Sequence, residues 1–149
     1  MPSQPLQENT GHLLMQTCKL LRTRVHALLG EFGLYCGQPF VLRVLWQEEG
    51  VTHSELAEKL RVQPATMTNT LKRMEKAGFV ERRHDAADQR VSRVYLTDAG
   101  RDIQDAVDGV WSELEERTFA GFSSDEVATF RQLLVHINDN LLPANLRQG

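Results

Sequence analysis

Small polar residues lead and cations follow across residues 63–77, where Ala65, Thr68 and Asn69 stand ahead of Lys72, Arg73 and Lys76. That order suits a duplex groove: Asn and Thr can hydrogen-bond base edges, a small Ala lets a backbone approach, and Lys or Arg neutralise phosphates. The same residues would also make the solvated face of an ordinary amphipathic helix. A second group, Thr52, His53 and Ser54, places hydroxyls and an imidazole at the start of another helical pattern, where backbone N–H groups favour an anion. The third group is Arg82, Arg83, Arg90 and Arg93, with Asp88 two residues ahead of Arg90. A guanidinium at Arg90 fits a narrow groove of deep negative potential, and Asp88 can hold it extended through a charge-assisted hydrogen bond. The plain alternative is a solvated ion pair worth at most about 1 kcal/mol.

These groups need elements to hold them. Thr52-His53-Ser54-Glu55 is a capping box, and Leu56, Ala57 and Leu60 then mark an apolar face at helical spacing. Pro64 suits the first position of a second helix, because its missing N–H would have no partner there. Met67, Leu71 and Met74 follow at i, i+4 and i+7 and should turn inward, which directs Ala65, Thr68, Asn69, Lys72 and Lys76 outward. Gly78 ends that helix. Val80-Glu81-Arg82-Arg83 and Val91-Ser92-Arg93-Val94-Tyr95-Leu96 alternate as two strands, joined by a polar loop of residues 84–90. Two helices, a short turn and a basic hairpin describe a winged helix-turn-helix.

With those residues in place, the chain resembles the multiple-antibiotic-resistance regulator (MarR) family. The resemblance rests on Gly33-Leu34 and Gln38, the Thr52-to-Ala57 run ending in Glu55-Leu56-Ala57, and Gly78-Phe79-Val80-Glu81-Arg82-Arg83. Asp88-Gln89-Arg90 and Leu96-Thr97-Asp98-Ala99-Gly100 complete the set. The chain departs from the usual pattern at Pro64-Ala65 and Asn69, where Ser and Arg are common, so no operator sequence carries over. The resemblance implies a mainly α fold with a small β-hairpin wing, and a homodimer built by N- and C-terminal helices. It implies double-stranded DNA with a palindromic or pseudo-palindromic operator as partner. Arg90 then enters the minor groove and Thr68, Asn69 and Lys72 read the major groove. Pro64 and Ala65 set the approach, while Thr52, His53, Ser54, Arg73, Arg82, Arg83 and Arg93 are assigned to phosphates.

The 149 residues amount to about one domain, read as a winged lobe at 37–96 flanked by helices at 11–32 and 101–142. The first helix carries Leu13, Leu14, Leu20, Leu21, Val25, Leu28, Leu29 and Phe32. The next starts near Pro39 and is apolar on most sides, which places it at the centre of the lobe. A long helix is expected from Thr97 toward Thr118. Ser123-Ser124-Asp125-Glu126 opens another, with Val127, Phe130, Leu133, Leu134, Ile137 and Leu141 inward and Pro143 at its end. Stripes this wide need cover, and a second copy packing the same patch on its mate supplies it. The first ten residues are polar and are expected to order poorly without a partner.

A net charge of −3 conceals an uneven distribution. Residues 59–93 hold nine cations against four anions, whereas residues 101–149 hold four against nine. An acidic body with one basic face favours an oriented approach to a polyanion. A protein-docking winged helix, the alternative from another class, would instead show aromatic residues and few cations on that face. GxGxxG, GxxxxGK[ST], HExxH and GxSxG are all absent, so nothing suggests an enzyme or a cofactor. Glu81 and His84 fall in a strand, where i and i+3 point to opposite faces, so no metal site is expected. No apolar run approaches the ~20 residues of a membrane span, and residues 1–10 lack a signal-peptide layout, which points to the cytoplasm.

The resemblance also implies repression relieved by a small effector, often aromatic and anionic, bound between the terminal helices and the lobe. His12, Met15, Arg22, His26, Tyr35, Trp46 and Trp111 are the residues expected to line such a cleft, although each aromatic is equally a core residue. A thiol switch is the rival mechanism. Cys18 lies inside the first helix and Cys36 in the loop before Gly37, where a thiolate forms more easily.

Overall fold

A computed structural model describes residues 9–146; the expectation for the first ten residues falls almost wholly outside them. In chain order come α1 (Thr10–Gly30), α2 (Gln38–Gln47), β1 (Val51–Thr52), α3 (His53–Lys59), α4 (Pro64–Ala77), β2 (Val80–His84) and β3 (Ser92–Leu96). They are followed by α5 (Asp98–Asp102), α6 (Gln104–Thr118) and α7 (Ser124–Leu141). The fold is mostly helical with a small antiparallel sheet, ordered β1-β3-β2, in which Arg82 pairs with Val94 and Thr52 with Arg93.

Local signals place the helix ends. The Glu55 N–H donates to Thr52 Oγ1 at 3.2 Å while the Thr52 N–H donates to Glu55 Oε2 at 3.0 Å, closing the expected box. Ser123 and Glu126 do the same for α7. Pro64 opens α4, and Gly78 closes it at φ 86°, a left-handed conformation that a side chain would strain. Met67, Leu71 and Met74 are buried against Val41, Leu42, Leu45, Leu56 and Val94, so α2 does sit at the centre of the lobe. Burying three side chains of this size along one stripe contributes several kcal/mol and fixes the rotation of α4 about its axis.

Two expectations, for one long helix and for Trp46, require correction. The long helix from Thr97 is two helices, interrupted at Ile103. Just before the break, the Gly100 carbonyl accepts the Trp46 indole N–H at 2.8 Å. Trp46 is therefore committed to the core and does not line a cleft. The short strand β1 was not expected; two residues carry too little pattern to be seen. Finally, none of the residues of α7 is buried within one chain, and Phe130, Leu133, Val135 and Leu141 stand exposed. On α1 only Val25 and Leu29 are buried, whereas Leu13, Met15 and Leu20 are open.

Gly100 also marks the closest approach between two elements. A Cβ there would lie 2.1 Å from the Phe79 carbonyl oxygen, which is held by the Thr97 N–H at 3.1 Å and cannot move away cheaply. Gly100→Ala is accordingly expected to destabilise the protein by about 1–3 kcal/mol, the usual cost of overpacking. Gly109→Ala, where a Cβ meets no neighbour within 4 Å, should not. Denaturant unfolding of both variants checks the pair; equal midpoints would contradict the assigned role of Gly100.

Candidate nucleic-acid interface

Helix α4 presents three stripes. Met67, Leu71 and Met74 face the core, and Ala65, Asn69, Lys72 and Lys76 are exposed on the outer side. Thr66, Thr70 and Arg73 turn a third way, into a cavity of about 610 Å³. The expected readers Asn69 and Lys72 stand free in solvent, and Pro64 and Ala65 form an open front end. Thr68 is half-buried: its hydroxyl donates to the Pro64 carbonyl at 3.0 Å and lies 2.9 Å from His53 Nε2. Among the described residues, Lys72, Arg73 and Lys76 make no ion pair.

Cations of the hairpin differ. Arg82 Nη2 donates to Glu75 Oε2 at 2.7 Å, tying the base of the wing to the end of α4. Arg83 pairs with Glu81 and lies over the Tyr95 ring, 4.4 Å from its centroid. Hydrogen bonds donated to the paired carboxylates raise both guanidinium pKa values, so neither charge is in question. Arg93 donates to Asp85 Oδ2 at 2.6 Å and to the Gly50 carbonyl at 2.8 Å. Three of the expected phosphate ligands, Arg82, Arg83 and Arg93, thus already have partners inside the chain, and Arg93 braces the wing against the turn before β1. The Thr52 hydroxyl is likewise occupied as a cap, while Ser54 is exposed. Arg73, also assigned to phosphates, lines the cavity instead.

At the hairpin tip, Arg90 is 92% exposed in its side chain, and among the described residues it pairs with Asp88 alone. One carboxylate oxygen, Asp88 Oδ1, accepts both the Arg90 N–H at 3.0 Å and Arg90 Nε at 3.2 Å. The expected buttress therefore exists, and it acts on backbone and side chain together.

The cavity lies between the C-terminal half of α1, the loop before α2, and α4. Arg22, His26 and Tyr35 line it as expected; His12, Met15, Trp46 and Trp111 do not. His12 and Met15 sit on the first turns of α1. Trp111 packs on Phe40 at 5.5 Å between centroids and borders a separate open depression with Arg43 and Arg131. Sequence reasoning missed Phe40, Thr66 and Thr70. The last two were visible as a second stripe at i, i+4 and i+7 with Arg73, offset by one residue from the core stripe. Exposed Cys36 joins the cavity wall, and Cys18 is exposed on α1 away from it. No cluster of three metal-ligating side chains occurs among the described residues.

Asp85 organises the wing. Arg93 donates to its carboxylate, and the Ala87 and Asp88 N–H groups bond the other oxygen at 2.7 and 3.3 Å. Together these hold its carboxyl below the usual carboxylate range. A depressed folded-state value stabilises the wing above the ordinary aspartate titration near pH ~4 and releases that contribution as pH falls through the depressed value. Amide exchange at Ala87 and Asp88 should therefore stay slow at pH ~4 and quicken only below it. In Asp85→Asn it should be fast at neutral pH, with that acid transition gone; an unchanged profile would remove Asp85 from the wing's support.

A family model of the MarR family matches residues 34–92, which span the end of the α1–α2 loop through the start of β3. The HTH-type transcriptional regulator TtmR of Methylorubrum extorquens is 32% identical over 93% of this chain and 74% of its own. An HTH-type transcriptional repressor of Mycobacterium bovis is 30% identical over 83% of this chain and 89% of its own. Among solved structures, CouR of Rhodococcus jostii, bound to p-coumaroyl-CoA, superposes with a TM-score of 0.75 at 26% identity, covering 91% of this chain and 95% of that one. A winged helix with these relatives, this order of elements and a solvent-facing polar stripe on α4 identifies the chain as a member of the MarR family of DNA-binding transcriptional regulators.

Proposed function

We propose that the protein is a homodimeric repressor that binds a palindromic operator and is released by a small aromatic anion. The observation that carries this reading is the division of labour on α4. Its outer stripe offers Asn69 and the unpaired Lys72 and Lys76, while the adjoining stripe lines the cavity with Thr66, Thr70 and Arg73. One rigid helix would therefore contact both DNA and effector, and any shift a ligand imposes on one face moves the other. No aromatic side chain stands on the outer stripe, which disfavours a protein-docking role.

The winged lobe at 37–96 supplies the reader and wing, and the helices at 11–32 and 101–142 supply the dimer contact. Support for the second copy comes from α7, whose apolar side chains find no cover in one chain, and from the open Leu13, Met15 and Leu20 of α1. A two-fold dimer would set its two α4 helices in successive major grooves, about 34–36 Å apart. Arg90 would then reach the flanking minor groove from each wing. The cavity fits an aromatic anion because Arg22, Arg73 and His26 stand beside the Tyr35 and Phe40 rings. CouR's bound p-coumaroyl-CoA is itself an anionic aromatic thioester, which supports the class and not the compound. Relatives of this kind are regulators and not enzymes, and this chain would act where the DNA is, in the cytoplasm. No helix among the described residues is long and apolar enough to cross a membrane.

Selection from random duplex DNA tests the whole reading and should return a two-fold symmetric consensus. On that duplex Arg90→Ala should weaken binding about tenfold or more, the size of a lost charge-assisted contact, while light scattering still reports a dimer. Undiminished affinity would take the wing out of the mechanism. A panel of benzoate- and cinnamate-type anions should contain one that releases the duplex. Its effect should require roughly tenfold more ligand in Arg73→Gln, since a hydrogen bond to a charge is worth about 1.5–3 kcal/mol.

A further inference from the structure

We infer that His53 is a positioning residue for sequence recognition: together with the Pro64 carbonyl it fixes the Thr68 hydroxyl in one rotamer with its hydrogen turned inside the protein, so that Thr68 reads DNA without donating a hydrogen bond. The inference deepens the proposed placement of α4 in the major groove and rests on it.

Its basis is a count of hydrogens. A threonine hydroxyl has one hydrogen to give and two lone pairs to accept with. Thr68 Oγ1 lies 3.0 Å from the Pro64 carbonyl and 2.9 Å from His53 Nε2. Both contacts hold together only if the hydroxyl donates to Pro64 and accepts from a protonated Nε2. With the other neutral tautomer the hydroxyl donates to Nε2. Either way its single hydrogen points inward. Threonine in a helix divides between two χ1 wells, and a second bond from a neighbouring helix selects one of them. His53 is the first residue of α3, and Thr68 lies on the second turn of α4, so the bond joins the front ends of the two motif helices.

The consequence falls on base chemistry. What remains for a base edge is the methyl group and one or both lone pairs, according to the tautomer of His53. These suit the thymine methyl and the amino groups of adenine and cytosine; they offer nothing to guanine N7 and O6, which require a donor. Thr68 would thus disfavour guanine at its base pair, and donors for purine N7 must come from Asn69 and Lys72, both exposed and unpaired. Without His53 only the Pro64 carbonyl still holds the hydroxyl; the second χ1 well is no longer excluded, and a hydroxyl that leaves Pro64 for that well can donate to guanine at that position.

The test compares base-preference profiles from random-duplex selection for the wild type, His53→Ala, His53→Gln, Thr68→Ala, the double variant and Asn69→Ala. His53→Ala should lose about three- to tenfold of the discrimination against guanine at one base pair per half-site, the worth of one net hydrogen bond. That base pair should be the one Thr68→Ala also alters. The double variant should differ from Thr68→Ala no further, as coupled neighbours require. His53→Gln, whose amide can donate to Thr68, should restore the preference. Should alanine loosen the helix pair, as a thermal melt would show, His53→Leu keeps bulk without a ring nitrogen and serves the same comparison. A wild-type profile retained in both His53→Ala and His53→Leu, or additive effects in the double variant, would overturn the inference alone, provided Asn69→Ala changes the consensus. No consensus from the wild type, or one indifferent to Asn69→Ala, would overturn the placement of α4 and this inference with it.

Discussion

A step of about 100° between consecutive residues of an α-helix is the constraint from which this molecule's function follows. On α4 it sends three adjoining positions to three different surroundings. Met67, Leu71 and Met74 are buried, so the helix cannot rotate; Thr66, Thr70 and Arg73 are thereby held at the cavity, and Asn69 and Lys72 in solvent. Turning the helix by one residue would place a lysine in the core and a methionine in water, an exchange that costs many kcal/mol. The reader face is therefore oriented by apolar packing, well before any electrostatic contact is made.

Electrostatics then sorts the cations that the sequence grouped together. An acidic chain with a basic segment would be expected to offer all of that segment to a polyanion. The structure instead uses Arg82, Arg83 and Arg93 to stiffen the wing through Glu75, Glu81 and Asp85. Exposed pairs of this kind add little stability individually. Their effect is geometric, because Arg93 reaches the Gly50 carbonyl and Arg82 the end of α4, so the hairpin is referenced to the same lobe as the reader. On the proposed reading, Arg90 at the tip and the lysines of α4 would be the cations left to meet DNA. Seen this way, the anions interspersed in the basic segment are part of the reading apparatus.

How much of this was legible in the sequence depends on range. Helix starts at Thr52, Pro64 and Ser123, the stop at Gly78 and the inward stripe of α4 were all readable, because each is decided within a few residues. The winged architecture and the Asp88–Arg90 buttress followed from the same local signals. Contacts between distant positions were not readable. Nothing near Trp46 announces a bond to Gly100, and nothing near Arg93 announces the Gly50 carbonyl, 43 positions away. The removal of Trp46 from the cleft goes with such a long-range bond. The membership of the cavity was half legible: Arg22, His26 and Tyr35 were expected, whereas Thr66 and Thr70, though spaced as a stripe with Arg73, carry no chemistry that would single them out from other helix-surface residues. For α7, the apolar pattern was read correctly, and that no residue of it is buried among the described residues agrees with the expectation that this face needs further cover.

Rigidity also constrains how release can work on the proposed reading. A ligand shifts an equilibrium only by its difference in affinity between two states. With α4 packed on its core stripe and the wing braced at Gly50 and Glu75, little freedom remains within the lobe itself. Any freedom such a release uses would then lie between the lobe and the terminal helices, which meet across the cavity through Arg22 and His26 of α1 on one side and Arg73 of α4 on the other. An anion held by cations from both sides would fix their spacing, and in a dimer that spacing sets the distance between the two α4 helices. B-form DNA tolerates only one such distance, about one helical turn. A change of an ångström or two at the cavity, carried by a lobe that does not deform, would therefore be enough to remove one reader from its groove while leaving every contact inside the lobe intact.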